Sequence, residues 1–312
     1  MDRNNINSKP CLGFIGLGSI GLPIAANLIR AGFSVKVHTR SRTAENSEEL
    51  KGAIPCSSPR ETAKGCDVLM ICVSDENAVE DILFSNLGAE SSMKSGDIII
   101  DLSTISPSKA RLFAAQLSSK NITYVDAPVT GGTEGAKAGS LTVFLGANED
   151  FLKTIASILS AIADAVYPFG STGKGQEVKA INQILVAGSY AAVAEAIALG
   201  EELKLPMDKV IESLKKGAGS SWALSNRAQS MLQDKYPLGF KLQLHHKDLS
   251  IALKTAKDSG LTLPITSKVK ELEEVLLKEG YKDKDISVLR RSIKRITNTT
   301  TSNLASGAED MD

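Results

Sequence analysis

The chain has 312 residues, 42% hydrophobic and 23% charged, with 36 Lys plus Arg against 36 Asp plus Glu. That length supports one large or two medium domains with sizeable cores. The balanced charge gives no overall field to draw the chain to nucleic acid or an anionic membrane, so any anion binding must be local. The four cysteines lack metal-ligand spacing, Cys11 and Cys72 fall inside expected buried strands, and the three histidines add no metal site, so the thiols read as reduced and the location as cytoplasmic. Residues 1–10 are polar with no apolar signal core, and the longest apolar run, Ile184 to Ala194, is too short to span a bilayer.

Apolar runs and turn residues set out the elements in order. Cys11 to Leu17 reads as a buried strand, Ser19 to Ala31 as a helix stopped at Gly32, and Phe33 to His38 as a second strand. Further strands are expected at Val68 to Val73, Asp97 to Leu102, Ile122 to Ala127, Leu141 to Leu145 and Ala165 to Pro168. Their alternation with helical patterns argues a largely parallel sheet with helices on both faces. From Lys174 to Lys204 one helical pattern of about 30 residues runs without proline, some 45 Å at about 1.5 Å per residue. Helices follow at Met207 to Lys215, Ser221 to Gln233, Leu242 to Ser259, Pro264 to Glu279 and Asp283 to Ile296. The fold class is therefore an α/β Rossmann-type dinucleotide-binding domain (1–172) and an all-α domain (173–296), joined by a long interdomain helix. Residues 297–312 have the composition of a disordered tail.

Between the first strand and first helix stands Gly16-Leu17-Gly18-Ser19-Ile20-Gly21. Gly16 permits the tight turn, Gly18 lets backbone approach a pyrophosphate, and Gly21 lets helix and strand close up. The helix's free N–H groups face the phosphates. An acidic group about 20 residues on would hold the ribose of NAD. The second strand instead runs into Thr39-Arg40-Ser41-Arg42, whose guanidinium and hydroxyl groups suit a 2'-phosphate, so NADP is expected, with NAD as the alternative. Strand ends elsewhere in the sheet, Val73-Ser74 and Ser103-Thr104, should line the same groove.

Two further segments carry chemistry: Asp126-Ala127-Pro128-Val129-Thr130-Gly131-Gly132, and Gly173 to Gln183 with Lys179, Asn182 and Gln183. With Gly13 to Gly18 and the stretch Phe240 to Leu249, they make the chain resemble the β-hydroxyacid dehydrogenase family over residues 11 to 295. That family includes 3-hydroxyisobutyrate dehydrogenase, tartronate semialdehyde reductase and the glyoxylate/succinic semialdehyde reductases. A 6-phosphogluconate dehydrogenase would carry His at Asn182 and a longer helical region, and an imine reductase would replace Lys179.

The resemblance implies a hydride-transferring oxidoreductase acting on a short β-hydroxy acid or its semialdehyde. Lys179 would be the general acid/base, since an alkoxide formed by hydride addition must be protonated as it forms. Its pKa would have to fall from about 10.4 toward roughly 7 to 8 through partial burial. Ser103, Thr130, Gly131, Gly132, Asn182, Gln183 and Phe240 would contact substrate; Thr130 stands where the family usually has Ser. Gly16, Gly18, Ser19, Ile20, Gly21, Thr39, Arg40, Ser41, Val73, Ser74, Asn77, Thr104, Lys247 and Asp248 would contact cofactor. His245 and His246, adjacent on a helix, should point apart and serve packing. The other reading is a catalytically idle NADP-binding sensor or interaction module. No nucleic-acid or membrane partner is expected. A homodimer or homotetramer is: the Ile184 to Ala194 stretch is small and apolar on nearly every side and must be enclosed, within one subunit or by a partner helix, and the resemblance to a family of oligomers implies the partner.

Overall fold

The computed structural model describes residues 9–293. Six strands, β1 (Leu12–Ile15), β2 (Val35–His38), β3 (Ile54–Pro55), β4 (Val68–Ile71), β5 (Ile98–Asp101) and β6 (Thr123–Asp126), form a parallel sheet in the order β3-β2-β1-β4-β5-β6. β1 and β4 are buried along their whole length, as strands covered on both faces must be. Their side chains alternate: Leu12, Phe14 and Met70 enter one core, and Ile15, Leu69 and Ile71 the other. The first core is closed by Ile24, Ala25 and Leu28 of α1 (Gly21–Arg30), the second by Val79 and Leu83 of α3 (Glu76–Phe84) and Phe113 and Leu117 of α4 (Pro107–Ser118). The short α2 (Pro59–Ala63), α3 and α4 start on Ser58, Asp75 and Ser106, each accepting a hydrogen bond from the first turn. Chain order reverses between β1 and β4, so the crevice at their carboxyl ends is the place where such sheets bind ligands.

Leu141 to Leu145 and Ala165 to Pro168 do not extend this sheet. With β7 (Val129–Thr130), they form a separate three-stranded one: β8 (Leu141–Leu145) pairs antiparallel with β7 and parallel with β9 (Ala163–Pro168). Pro128 supplies the reason. It has no N–H for a ladder, so β6 stops there, and its carbonyl instead accepts from Phe144 N–H at 2.9 Å. α5 (Gly132–Ala138) and α6 (Glu149–Leu159) connect these strands. β3 was not expected; at two exposed residues it has neither apolar run nor alternation to reveal it.

The chain divides into two compact units after Lys179. α7 (Lys174–Glu202) runs through the division. The second unit adds α8 (Met207–Leu214), α9 (Trp222–Leu232), α10 (Leu242–Asp258) and α11 (Pro264–Lys278) around Tyr190, Ile197, Ala223, Leu249 and Val269. The helix expected over 283–296 begins differently. Asp285 bridges Lys241 in antiparallel fashion, and Ile286–Leu289 is a 3-10 turn. Asp285 is buried and accepts from the N–H groups of Gly239, Phe240 and Ser287, which holds the chain out of an α-helix there. The expected tail, 297–312, lies outside the described residues.

One expectation about α7 is corrected. Among the described residues it is long and apolar enough, by length and composition, to cross a membrane, because alanines extend the apolar character beyond Ile184 to Ala194; core helices of soluble proteins share that property. Within one chain Ala187, Tyr190, Val193 and Ile197 face the core, while Ile181, Leu185 and Leu199, with Leu203 just past the helix end, are 58%, 69%, 62% and 59% exposed. The cysteines differ as well: Cys11 and Cys72 are half-buried just outside β1 and β4, Cys56 and Cys66 are buried, and all four are free thiols.

Candidate active site

The turn after β1 is shaped by what its glycines leave out. Gly16 has φ +104°, and a Cβ there would sit 2.2 Å from the Cys72 carbonyl oxygen; one on Gly21 would sit 1.9 Å from the Gly16 carbonyl oxygen. Both are therefore demanded by close packing. A Cβ on Gly18 would meet nothing within 4 Å. Gly18 and Ser19 are exposed, Ile20 is half-buried, and no side chain caps the start of α1. Open space over uncapped N–H groups is what a pyrophosphate requires, so these residues fit the phosphates of a dinucleotide.

Beyond β2, the four expected residues divide. Arg42, in the left-handed region at φ +62°, is exposed but paired: its Nε lies 3.1 Å from Glu45 Oε2 and its Nη1 donates to the Cys56 carbonyl at 2.8 Å. Glu45 is buried and also accepts from Thr39 N–H at 2.9 Å. Ser41 is hydrogen-bonded to Thr43, and Arg40 is exposed. Sequence reasoning missed Glu45. An acidic residue seven positions beyond the strand carries no periodic signal, yet it sets the loop's shape.

At the ends of β4 and β5, Val73 N–H donates to Ser103 Oγ at 2.9 Å, and Ser103 is 2% exposed. Its hydroxyl thus ties two strand ends together instead of lying open. Ser74 and Asn77 are exposed and Thr104 half-buried. Asp101, at the end of β5, accepts from Tyr124 O–H at 2.7 Å and Ser103 N–H at 2.9 Å, and burial pushes its carboxyl up to about 6.

Asp126 anchors α7. Its Oδ1 accepts from Gly173 N–H at 2.7 Å and its Oδ2 from Gln176 N–H at 2.8 Å. It thereby takes up N–H groups at the helix start that the helix itself leaves unsatisfied. Burial raises its pKa, and those two N–H groups pull it back down. Gln176 adds a second tie, accepting from Ile105 N–H at 3.2 Å and donating to the Ser103 carbonyl at 2.8 Å. Both residues stood in the quoted motifs without an assigned role. Their signal was a polar residue among glycines at an element end.

One turn into α7, Lys179 is 7% exposed and its Nζ donates to the Val129 carbonyl at 2.9 Å. Val129 precedes Thr130 on β7, and Gly131 and Gly132 follow at φ +130° and +65°. Lys179 is thus brought to the strand that leads into the Thr130-Gly131-Gly132 turn.

In the second unit, Asn182 Nδ2 donates to Gln183 Oε1 at 2.7 Å, and Gln183 Nε2 to Asp248 Oδ2 at 2.8 Å. Lys247 Nζ lies 3.0 Å from Asp248 Oδ1. Phe240 is half-buried with its ring edge-on to His245. The two histidines do not point apart. His245 Nδ1 is 2.5 Å from Glu273 Oε1, with both groups 1% exposed, and His246 Nδ1 is 3.9 Å from Glu273 Oε2. The long Glu273 side chain on α11 reaches both rings across the α10–α11 contact, which a reading of one helix alone could not foresee.

Comparison with known proteins places both halves of the chain. The family description for the NAD binding domain of 6-phosphogluconate dehydrogenase matches residues 11–170, and that for the NAD-binding segment of NADP-dependent 3-hydroxyisobutyrate dehydrogenase matches 173–293. The chain is 32% identical to 2-(hydroxymethyl)glutarate dehydrogenase of Eubacterium barkeri, over 93% of its own length and 97% of the relative's. It is 34% identical to 2-hydroxy-3-oxopropionate reductase of Escherichia coli, over 92% and 98%. The solved structure of 3-hydroxyisobutyrate dehydrogenase from Salmonella typhimurium superposes with a TM-score of 0.82 at 32% identity, covering 91% of this chain and 99% of that one.

Proposed function

The chain belongs to the β-hydroxyacid dehydrogenase family, and from that premise we propose an NADP-preferring oxidoreductase that interconverts a short β-hydroxy acid and its semialdehyde or keto acid, with Lys179 moving the proton. The observation that carries this reading is a buried lysine held by the Val129 carbonyl, one residue before Thr130. The nicotinamide group, when bound, supplies or accepts the hydride. Lys179 Nζ gives its proton to the substrate's carbonyl oxygen as negative charge develops there, and takes one back in the reverse direction. The Val129 carbonyl helps to fix the ammonium in place. The Thr130 hydroxyl and the N–H groups of Gly131 and Gly132 offer donors to a substrate carboxylate. Asp126 and Gln176 hold the start of α7, and hence Lys179, to the ends of β5 and β6.

NADP preference rests on Arg40. Both arginines are exposed, but Arg42 is already paired with Glu45 and the Cys56 carbonyl, so Arg40 is the one assigned to a 2'-phosphate. The protein is read as a cytoplasmic homo-oligomer that uses the exposed stripe Ile181, Leu185, Leu199 and Leu203; light scattering at the 33.0 kDa mass of one chain would contradict this.

The test of function is loss of NADPH absorbance with a panel of short semialdehydes and keto acids, repeated with NADH. Turnover ranked by kcat/KM assigns the substrate, which one methyl or hydroxyl group shifts by about 1–3 kcal/mol. Tight NADPH binding with no turnover on any member would favour an idle cofactor-binding module.

A further inference from the structure

We infer that Asp248 and Gln183 are positioning residues: through Gln183, the Asp248 carboxylate dictates which way the Asn182 carboxamide is turned, its amino group toward Gln183 and its carbonyl oxygen away from it. The inference rests on the oxidoreductase reading above and departs from the expectation that Gln183 touches substrate and Asp248 touches cofactor. Asp248 is 3% exposed with Lys247 Nζ 3.0 Å from Oδ1, and an ionised carboxylate only accepts hydrogen bonds. The Gln183 amide, 1% exposed, must therefore turn its Nε2 to Asp248 Oδ2, as found at 2.8 Å. The reverse orientation would set an amide oxygen against a carboxylate in a buried site.

With its nitrogen so committed, Gln183 offers Oε1 at its other end, and Oε1 accepts from Asn182 Nδ2 at 2.7 Å. Polarity passes along the chain from carboxylate to carboxamide to carboxamide. Asn182 Oδ1 is left as an acceptor three residues along α7 from Lys179. Such an oxygen complements the O–H of a hydroxy acid, and the second Nδ2 hydrogen remains a donor beside it. Both amides in the relay are set by one buried charge.

The experiment uses the full chain, NADPH and the best substrate from the panel. Gln183→Glu sets two carboxylates face to face and should lower kcat by about thirtyfold or more while the KM for NADPH stays within about twofold. Adding Asp248→Asn supplies an amide that donates to the introduced carboxylate, which still accepts from Asn182, and should restore kcat to within about fivefold of wild type. A double variant as slow as Gln183→Glu alone, or an Asp248→Asn variant whose main defect is a raised KM for NADPH, would overturn the relay. Gln183→Met removes both hydrogen bonds without adding charge and covers the case in which Gln183→Glu does not fold; a tenfold fall in kcat at unchanged NADPH KM is expected, about 1.4 kcal/mol, and an unchanged kcat counts against the proposal. Side-chain amide resonances of Asn182 and Gln183 give a readout free of activity. Slow hydrogen exchange at both that Asp248→Ala abolishes supports the relay even if no substrate is turned over, and fast exchange in the wild type refutes it.

Discussion

The glycine turn after β1 and the glycines packed around Asp126, at the end of β6, serve opposite ends. At the first, Gly18 clears space that no protein atom fills. Around the second, the glycines clear space for a protein side chain: a Cβ on Gly146 would lie 1.9 Å from Asp126 Oδ1, and one on Gly175 would lie 2.9 Å from Asp126 Oδ2 and 2.3 Å from the Phe144 carbonyl oxygen. One place is left open and the other is filled by a carboxylate that anchors a helix. A glycine in a sequence motif therefore marks close approach, and only the neighbours say what approaches.

The comparison breaks if the two kinds of glycine respond alike to the same added methyl group. Gly175→Ala should destabilise the fold by more than about 3 kcal/mol, since the atom in its way is a backbone carbonyl that cannot swing aside. Gly18→Ala should leave stability within about 0.5 kcal/mol and weaken NADPH binding about tenfold or more by intruding on the phosphates. Denaturant midpoints and cofactor titrations on both variants are the check. A Gly18→Ala variant that is destabilised but binds NADPH normally would reverse the assignment.

The buried carboxylates at the ends of β5 and β6 bring a pH signature that the turn after β1 lacks. Folding raises Asp101 from 3.8 to about 6, chiefly through burial. The fold thus favours the protonated form; that contribution is complete below about pH 4 and is lost as pH rises through about 6. Asp101→Asn removes it, so the variant's stability relative to wild type should climb between those limits by on the order of 3 kcal/mol. A difference that stays flat with pH would mean that Asp101 is not strained by its burial.

A smaller effect sharpens the account of the first turn's neighbour. Arg40→Asp should shift the ratio of KM for NADPH to KM for NADH by about tenfold toward NADH, a change of about 1.4 kcal/mol. Arg42→Ala should act on stability as well, because Arg42 is bound to the buried Glu45. An unchanged cofactor ratio in the Arg40 variant would place the 2'-phosphate elsewhere.

How much was legible follows the same division. The glycine turn, the parallel strands and the long helix were readable because periodicity and turn residues are local properties of the chain. The roles of Asp126, Gln176 and Glu45 were not. Asp126 and Gln176 work by meeting backbone groups far away in sequence, Asp126 with Gly173 and Gln176 with Ser103 and Ile105, while Glu45 acts within its own loop, on Thr39 and Arg42, where no periodic pattern marks it. Ser103 shows the converse: its place at a strand end was read correctly, while its commitment to Val73 depended on a neighbouring strand. The second sheet was misplaced for a similar reason. Its strands have ordinary β patterns, and only the stop at Pro128 decides which sheet they join.

Lys179 is the point on which the anchored helix and the proposed chemistry meet, and Lys179→Ala tests both together. NADPH affinity and kcat are to be measured on the same preparation with the best substrate. The account predicts affinity within about twofold of wild type and kcat lower by about 10² to 10⁴, the usual share of a general acid/base. A variant that keeps more than about a tenth of wild-type kcat would remove Lys179 from the mechanism.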